Sequence, residues 1–470
     1  MIRFEWEIIG VRYPRVIRMK KSPHSRLSGT LALCMLRGPM AVSSFQSLPG
    51  FRDFLPRDFA VRQYLHETWR ATARRHGFVE YETPLLEDTG LYLKKSAGEL
   101  STQLFRFQDQ GGRDVTLRPE VTASLARLAA DHQRDFPKPL KWFEIGQCFR
   151  YEKPQKGRGR EFFQFNVDIL GESAVEADAE LLAVAIDTMR AFGFTKDDYQ
   201  MRVSDRQAWA DFAHQRGLDE AKLAEFLQIV DKLERDKSEV LEQKLAALGL
   251  NLAEVKEFIA NPGNASEKFR SLQANLSARG LGDFVRWDLS IVRGLAYYTG
   301  LVFEVFDARA SLRAVAGGGR YDGLVATISD GKVDLPATGF AMGDYVIRNL
   351  IEQTPHALMQ MEVWLQRNQA GCDIYVIVDQ EVRREQALAL ITDLREAGMS
   401  VDFPLTAMKF NKQMQRAEQN RARFALIIGQ DFPQLKLKIL ASRSESTLTA
   451  EGVVEEMIQR IHRPDGPLLA

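Results

Sequence analysis

The chain can hardly avoid a long β-hairpin at residues 141–171. KWFEIGQCFRYE and FFQFNVDILG are rich in aromatic and β-branched residues, and the basic, glycine-bearing stretch KPQKGRGRE separates them. Two strands so joined are antiparallel neighbours with a long charged tip. Arg150 and Glu152 stand two apart, a spacing that puts both on one face of a strand. Lys153, Lys156, Arg158 and Arg160 crowd the loop, with Gly157 and Gly159 between them; Phe162, Phe163 and Gln164 follow. A guanidinium on a sheet, a cationic loop and an aromatic face suit a nucleotide, with phosphates on arginine and a base on phenylalanine. A solvated tip above a buried salt bridge is the alternative.

Three further stretches add groups of a different kind. TLRPEVTA (116–123) sets Glu120 and Thr122 after a proline-shaped turn, and Asp168 falls on the same strand face as Gln164. VRGLAYYTG (292–300) holds Arg293 ahead of Tyr297 and Tyr298, and Arg320-Tyr321 lies in a glycine-rich turn. Acidic, amide and phenolic groups together suit a small substrate with an ammonium group and a hydrogen-bonding ring. Each alone reads as a satisfied core polar residue. Arg293 demands an anion, because arginine is rarely buried without one.

At 470 residues, the chain has room for about two to four domains. Its formal charge is zero, so a polyanion must be met by local basic patches. Cys34, Cys148 and Cys372 are scattered without a CxxC pair, which argues against a zinc ribbon or a disulfide framework. No apolar run reaches a membrane span. Residues 1–44 are expected to hold little packed structure. Arg3, Arg12, Arg15, Arg18, Lys20, Lys21 and Arg26 against Glu5 and Glu7 suggest either an organelle presequence or sequence ahead of a start at Met40. We adopt the second reading, because the two glutamates and the scarcity of serine weaken the first.

Helical spacing predicts a helix over 57–76, and FVEYETPLLE then alternates as a strand with Pro84 at its end. A turn and helix follow at 117–130, and an amphipathic helix closes at Gly193. Residues 199–280 read as a mainly helical insertion. Strands resume from VRWDLSIV, and ATGFAMGDYVIRNLIEQ closes the unit as strand, turn and helix. A polar linker is expected at 355–371. Beyond it CDIYVIVD opens a βαβαβ pattern, which predicts an α/β domain with a mostly parallel sheet.

In their order and spacing these motifs resemble the class II aminoacyl-tRNA synthetases, and specifically the histidyl-tRNA synthetase family, from about Phe45 onward. GFVEYETPLLE is similar to the first class II motif and FRYEKPQKGRGREFFQF to the second. VRGLAYYTG is close to a segment peculiar to the histidyl enzymes. The resemblance implies an α+β catalytic domain on an antiparallel sheet over 45–354, and an α/β anticodon-binding domain over 372–470. It implies an ATP-dependent ligase that converts L-histidine to its adenylate and passes histidine to tRNA(His). For ATP it implies Arg150 on the α-phosphate, Glu152 at the adenine edge, Phe162 stacked on adenine, Arg158 on the outer phosphates, and Arg293 opposite Arg150. Those two arginines would be the catalytic pair. For histidine it implies Glu120, Val121, Thr122 and Gln164 at the amino group and backbone. Asp168 and Tyr298 would hold the imidazole, with Tyr297 and Tyr321 completing the pocket. Lys153, Lys156, Arg160, Lys409 and Lys412 would meet tRNA. ATP would arrive with Mg²⁺, with no prosthetic group and no dedicated metal site. A cytoplasmic homodimer is implied, or an organellar one if the leader is a presequence.

Two positions depart from the pattern. Ala296 stands where aspartate is common, and Val346 stands where the third motif places its arginine, within GFAMGDYVIRN. Arg348 would face elsewhere on a helix, leaving Arg158 as the expected γ-phosphate ligand. The helical insertion is expected to touch tRNA rather than to edit, because pairing both imidazole nitrogens already rejects other amino acids. The rival readings are a histidine-sensing regulatory paralogue of ATP phosphoribosyltransferase and an RNA-binding sensor without turnover. Retention of the last domain and of Arg150, Arg158 and Arg293 weighs against the first.

Overall fold

Along Glu161–Leu170 the side chains alternate between two environments. Phe165, Val167 and Ile169 enter the main apolar core, while Gln164, Asn166 and Asp168 point the other way. This strand pairs antiparallel with Leu140–Phe149 over ten residues, from Leu140 opposite Leu170 to Phe149 opposite Glu161. A computed structural model describes residues 45–470 except 96–98, 154, 156, 234–235, 262–265, 292–296, 310–311, 369–370 and 463–470. The expectations for the leader, and those for Lys156, Arg293 and Ala296, lie outside the described residues.

In chain order the first strands are β1 (Val79–Glu80), β2 (Leu86–Asp88), β3 (Phe105–Gln108), β4 (Asp114–Leu117), β5 (Leu140–Phe149) and β6 (Glu161–Leu170). Then come β7 (Tyr199–Asp205), β8 (Val285–Trp287), β9 (Leu301–Asp307), β10 (Ala316–Arg320) and β11 (Ala337–Gly343). Eight of them form one sheet in the order β1-β5-β6-β11-β10-β9-β7-β8, antiparallel except for the parallel pairs at its two ends. β2, β4 and β3 form a separate small sheet.

One face of the large sheet is covered by α1 (Pro56–Arg75) and, after α2 (Thr89–Lys95) and α3 (Thr122–His132), by α4 (Val175–Ala191). α1 starts with proline at its first turn and is followed by Gly77 at φ +76°, a left-handed position that suits glycine. Trp69 of α1 is fully buried and stacks on Phe165 at 5.6 Å, so truncating it would cost roughly 3–5 kcal/mol. α3 covers part of the opposite face.

The helical insertion is narrower than expected. β7 is a strand of the main sheet. Only α5 (Arg206–His214), α6 (Glu220–Val230), α7 (Ser238–Ala247) and α8 (Leu252–Ala260) build a core of their own, around Trp209, Phe212 and Phe226. α9 (Glu267–Ala278) returns Phe269, Leu272 and Leu276 to the main core. The alternating strand expected at 78–87 is likewise two short strands, one in each sheet, with Pro84 between them.

After α10 (Leu324–Ile328) and α11 (Asp344–Gln353), the expected linker is a helix, α12 (Pro355–Asn368). Ala357, Met361 and Leu365 recur every four residues and are buried in the main core. The last domain contains β12 (Ile374–Val378), α13 (Arg384–Glu396), β13 (Val401–Asp402), α14 (Phe410–Gln419) and β14 (Phe424–Ile428), the anticipated βαβαβ unit. Its sheet is mixed rather than mostly parallel. β15 (Gln434–Ile439) and β16 (Glu445–Thr449) add an antiparallel meander to β14 before α15 (Val453–His462). Buried Gln413 ties α14 to β12, accepting from Val378 N–H at 2.9 Å and donating to Val378 O at 2.8 Å. Among the described residues no helix is long and apolar enough to cross a membrane.

Candidate active site

The outward face of β6 forms a floor of Gln164, Asn166 and Asp168, and the strands beside it keep that floor open. Opposite Asp168 and Gln164 on β11 stand Gly339 and Gly343, and opposite Gln164 on β5 stands Gly146. A β-carbon at 339 would collide with Asp168 Oδ1. The cleft above spans about 420 Å³, the open solvent at its mouth included.

One wall comes from the turn between β4 and α3. Arg118 is 1% exposed and bridges Glu144 at 2.6 Å, Thr83 Oγ1 at 2.7 Å and Gln147 O at 2.8 Å. A buried charge held by so many acceptors fixes the turn. Glu120 and Thr122 thereby reach the cleft, whereas Val121 between them is fully buried and is not among the lining residues. Arg150 donates from Nε to Pro119 O at 3.0 Å and lines the same wall.

The other wall is aromatic. The Tyr297 ring lies 4.7 Å from Tyr298 and 5.9 Å from Tyr321. Tyr321 Oη donates to Asp168 Oδ1 at 2.5 Å; burial and that carboxylate push its phenol well above the usual value, so it stays a donor. Arg320 beside it turns away to Asp178, 2.8 Å distant, and anchors the end of β10 on α4. Burial also pushes the Cys148 thiol, 3.6 Å from Gln164 Oε1, up to about 12, which keeps it protonated.

The hairpin tip differs from the expected strand pair. β5 stops at Phe149, and Glu152 N–H donates to Arg150 O at 2.8 Å, so a turn rather than strand alternation sets the two side chains. Arg158 is ion-paired with Glu152. The Arg150 guanidinium lies 5.1 Å from the Phe162 ring. Lys153 is exposed, and Arg160 lies over the Tyr151 ring at 4.2 Å.

At the third motif Val346 packs against the core. Arg348 bonds Glu352 at 2.8 Å and Asp58 at 3.3 Å, both outside the cleft. In the last domain Lys409 and Lys412 are exposed at the start of α14.

Glu120, Thr122, Arg150, Gln164 and Asp168 thus meet Tyr297, Tyr298 and Tyr321 at one cleft. Sequence reasoning missed Asn166, although the alternation from Gln164 to Asp168 passes through it. It also read Arg118 only as part of a turn, since nothing local shows that Glu144 will meet it.

Comparison with known proteins matches two stretches of the chain. A family model described as histidyl-tRNA synthetase matches residues 50–344, and an anticodon-binding-domain model matches residues 373–460. The chain is 40% identical over 443 residues to the histidine–tRNA ligase of Opitutus terrae, covering 90% of this chain and 99% of the relative. It is 33% identical over 411 residues to the chloroplastic/mitochondrial histidine–tRNA ligase of Arabidopsis thaliana, covering 84% and 82%. In fold it is similar to the apo histidyl-tRNA synthetase of S. aureus, with TM-score 0.64, 22% identity, and 88% and 99% coverage. The histidyl-tRNA synthetase of a Nostoc species gives TM-score 0.67, 22% identity, and 89% and 100% coverage.

Proposed function

The chain belongs to the histidyl-tRNA synthetase family, and on that premise we infer how its cleft works. The activity is that of a histidine–tRNA ligase, which activates histidine with ATP and transfers it to tRNA(His). Seven side chains form the histidine subsite. Glu120, Thr122 and Gln164 take the ammonium and backbone of histidine, and Asp168 with Tyr298 takes the two imidazole nitrogens. Tyr297 and Tyr321 close the ring pocket, while Val121 acts only through the backbone of its turn. Arg150 meets the α-phosphate and Phe162 the adenine. Arg158 leaves Glu152 for the outer phosphates, which frees Glu152 for the adenine edge.

The histidine carboxylate is ionised at neutral pH and needs no base. As its oxygen bonds to the α-phosphorus, the bond to the bridging oxygen breaks and pyrophosphate leaves with that electron pair. Rate then depends on alignment and on positive charge where phosphorus becomes pentacoordinate. Arg150 and Arg293 supply that charge, and ATP brings its own Mg²⁺. In the second step the terminal ribose hydroxyl of tRNA attacks the acyl carbon. AMP departs with the bonding pair and the hydroxyl proton passes to solvent.

Lys153, Lys156 and Arg160 meet the acceptor stem. Lys409 and Lys412 meet the anticodon arm, and the insertion also contacts tRNA. The protein acts as a cytoplasmic homodimer; exposed Val79, Leu85 and Leu86 beside Pro84 support an interface there, which sedimentation would test.

The observation that carries the reading is the convergence of Glu120, Gln164 and Asp168 with Tyr321, which is 153 residues beyond Asp168. Histidine-dependent exchange of pyrophosphate into ATP, without tRNA, tests it on protein started at Met1 and at Met40. Exchange with histidine alone among amino acids is expected, and Arg293→Ala should slow activation about 100-fold or more. Histidine binding without exchange in either protein would overturn the reading.

A further inference from the structure

The ladder between β6 and β11 ends where Gly343 faces Gln164, because the next residue, Asp344, begins α11. Its side chain continues the pairing that its backbone gives up. Asp344 Oδ1 accepts the Phe163 N–H at 3.1 Å, and Oδ2 accepts Arg52 Nη2 at 2.8 Å. Arg52 Nη2 also lies 3.5 Å from Glu161 O. Gly50 O receives the N–H groups of Arg160 at 2.9 Å and Glu161 at 3.3 Å. The Arg52 guanidinium lies 3.8 Å from the centre of the Tyr345 ring, and the Tyr345 hydroxyl sits so close to Gly159 that a β-carbon there would collide with it. Asp344 is 3% exposed, and Arg52 is the ion partner that offsets its burial.

We propose that Arg52 and Asp344 are positioning residues for ATP, acting through the hairpin end that carries Phe162. This rests on the reading of Phe162 and Arg150 as ATP ligands. Phe162 stands between Glu161 and Phe163, the two residues held from outside the cleft, so their peptide planes set the direction of its ring. Arg150 is tied to the same place, its N–H donating to Arg160 O at 2.9 Å. Gln164 and Asp168 are flanked by strands on both sides and do not depend on the clamp. Loosening it therefore disturbs the nucleotide side of the cleft and spares the histidine side.

The test is histidine-dependent pyrophosphate exchange with KM measured separately for ATP and histidine, alongside thermal melts. Arg52→Ala and Asp344→Asn should each raise KM for ATP about tenfold and leave KM for histidine within about twofold. Arg52→Lys keeps the charge without the planar fork and should fall between wild type and Arg52→Ala. If Arg52→Ala does not fold, Arg52→Lys and Asp344→Asn carry the same comparison. Unchanged KM for ATP in folded variants, or equal rises in both KM values, would overturn the proposal. Absence of exchange in the wild-type protein would instead overturn the reading of the cleft itself.

Discussion

Tyr321 Oη donates to Asp168 Oδ1 at 2.5 Å, with Tyr321 2% and Asp168 3% exposed. A buried carboxylate in contact with a phenol has its acceptor direction fixed before any ligand arrives, and losing the donor leaves a buried acceptor short of a partner. Tyr321→Phe should raise KM for histidine about tenfold in pyrophosphate exchange, with KM for ATP unchanged. Asp168→Asn should be more severe. An unaltered histidine KM in Tyr321→Phe would remove Asp168 from the imidazole site.

Gly339 faces Asp168 across the β6–β11 ladder. Since a β-carbon there collides with Asp168 Oδ1, Gly339→Ala must displace the carboxylate or the strand. The expected cost is about 1–3 kcal/mol in denaturant unfolding, together with loss of histidine-dependent exchange. Unimpaired exchange would mean that Asp168 can move without consequence.

Glu180 on α4 joins three elements, 3.3 Å from His76 Nδ1, 3.0 Å from Lys141 Nζ and 2.6 Å from Arg279 Nη1. The His76 hydrogen bond first, then Arg279 and Lys141, hold its carboxyl far below the ordinary 4.5. A depressed acid stabilises the fold above its unfolded pKa, and that stability is lost as pH falls toward its folded value. Glu180→Gln should therefore cost about 1 kcal/mol near neutral pH, and the gap should close progressively below about pH 4.5. Melting curves from about pH 3.5 to 8 check this; a gap that widens in acid would contradict it.

Met361 is 3% exposed within the main core, and Met359 on the same helix is 69% exposed. Met361→Ala should destabilise by about 2–4 kcal/mol and Met359→Ala by less than about 0.5 kcal/mol. Similar small losses for both would restore a linker at 355–371.

Much of this molecule is legible from residue patterns because local chemistry is periodic. The β6 alternation put Gln164 and Asp168 on one face, and the polar residue between them, Asn166, obeys the same rule. The helices of residues 56–75, 175–191 and 384–396 follow from apolar spacing. The order of the synthetase motifs was likewise legible without coordinates.

Periodicity says which face of an element is apolar, but not which core that face joins. That is why apolar spacing alone groups β7 and α9 with a helical insertion, although their buried residues belong to the main core, and why it does not mark Ala357, Met361 and Leu365 as core. Partners distant along the chain escape sequence reasoning for the same reason. Arg118 meets Glu144, Tyr321 meets Asp168 and Arg52 meets Asp344 only once the strands have taken their order in the sheet. Residue patterns alone set most of the elements, their polar faces and the family. Which buried charges share a partner is settled by the strand order, which alone brings residues far apart in the chain together, and burial makes leaving any of them unpaired costly.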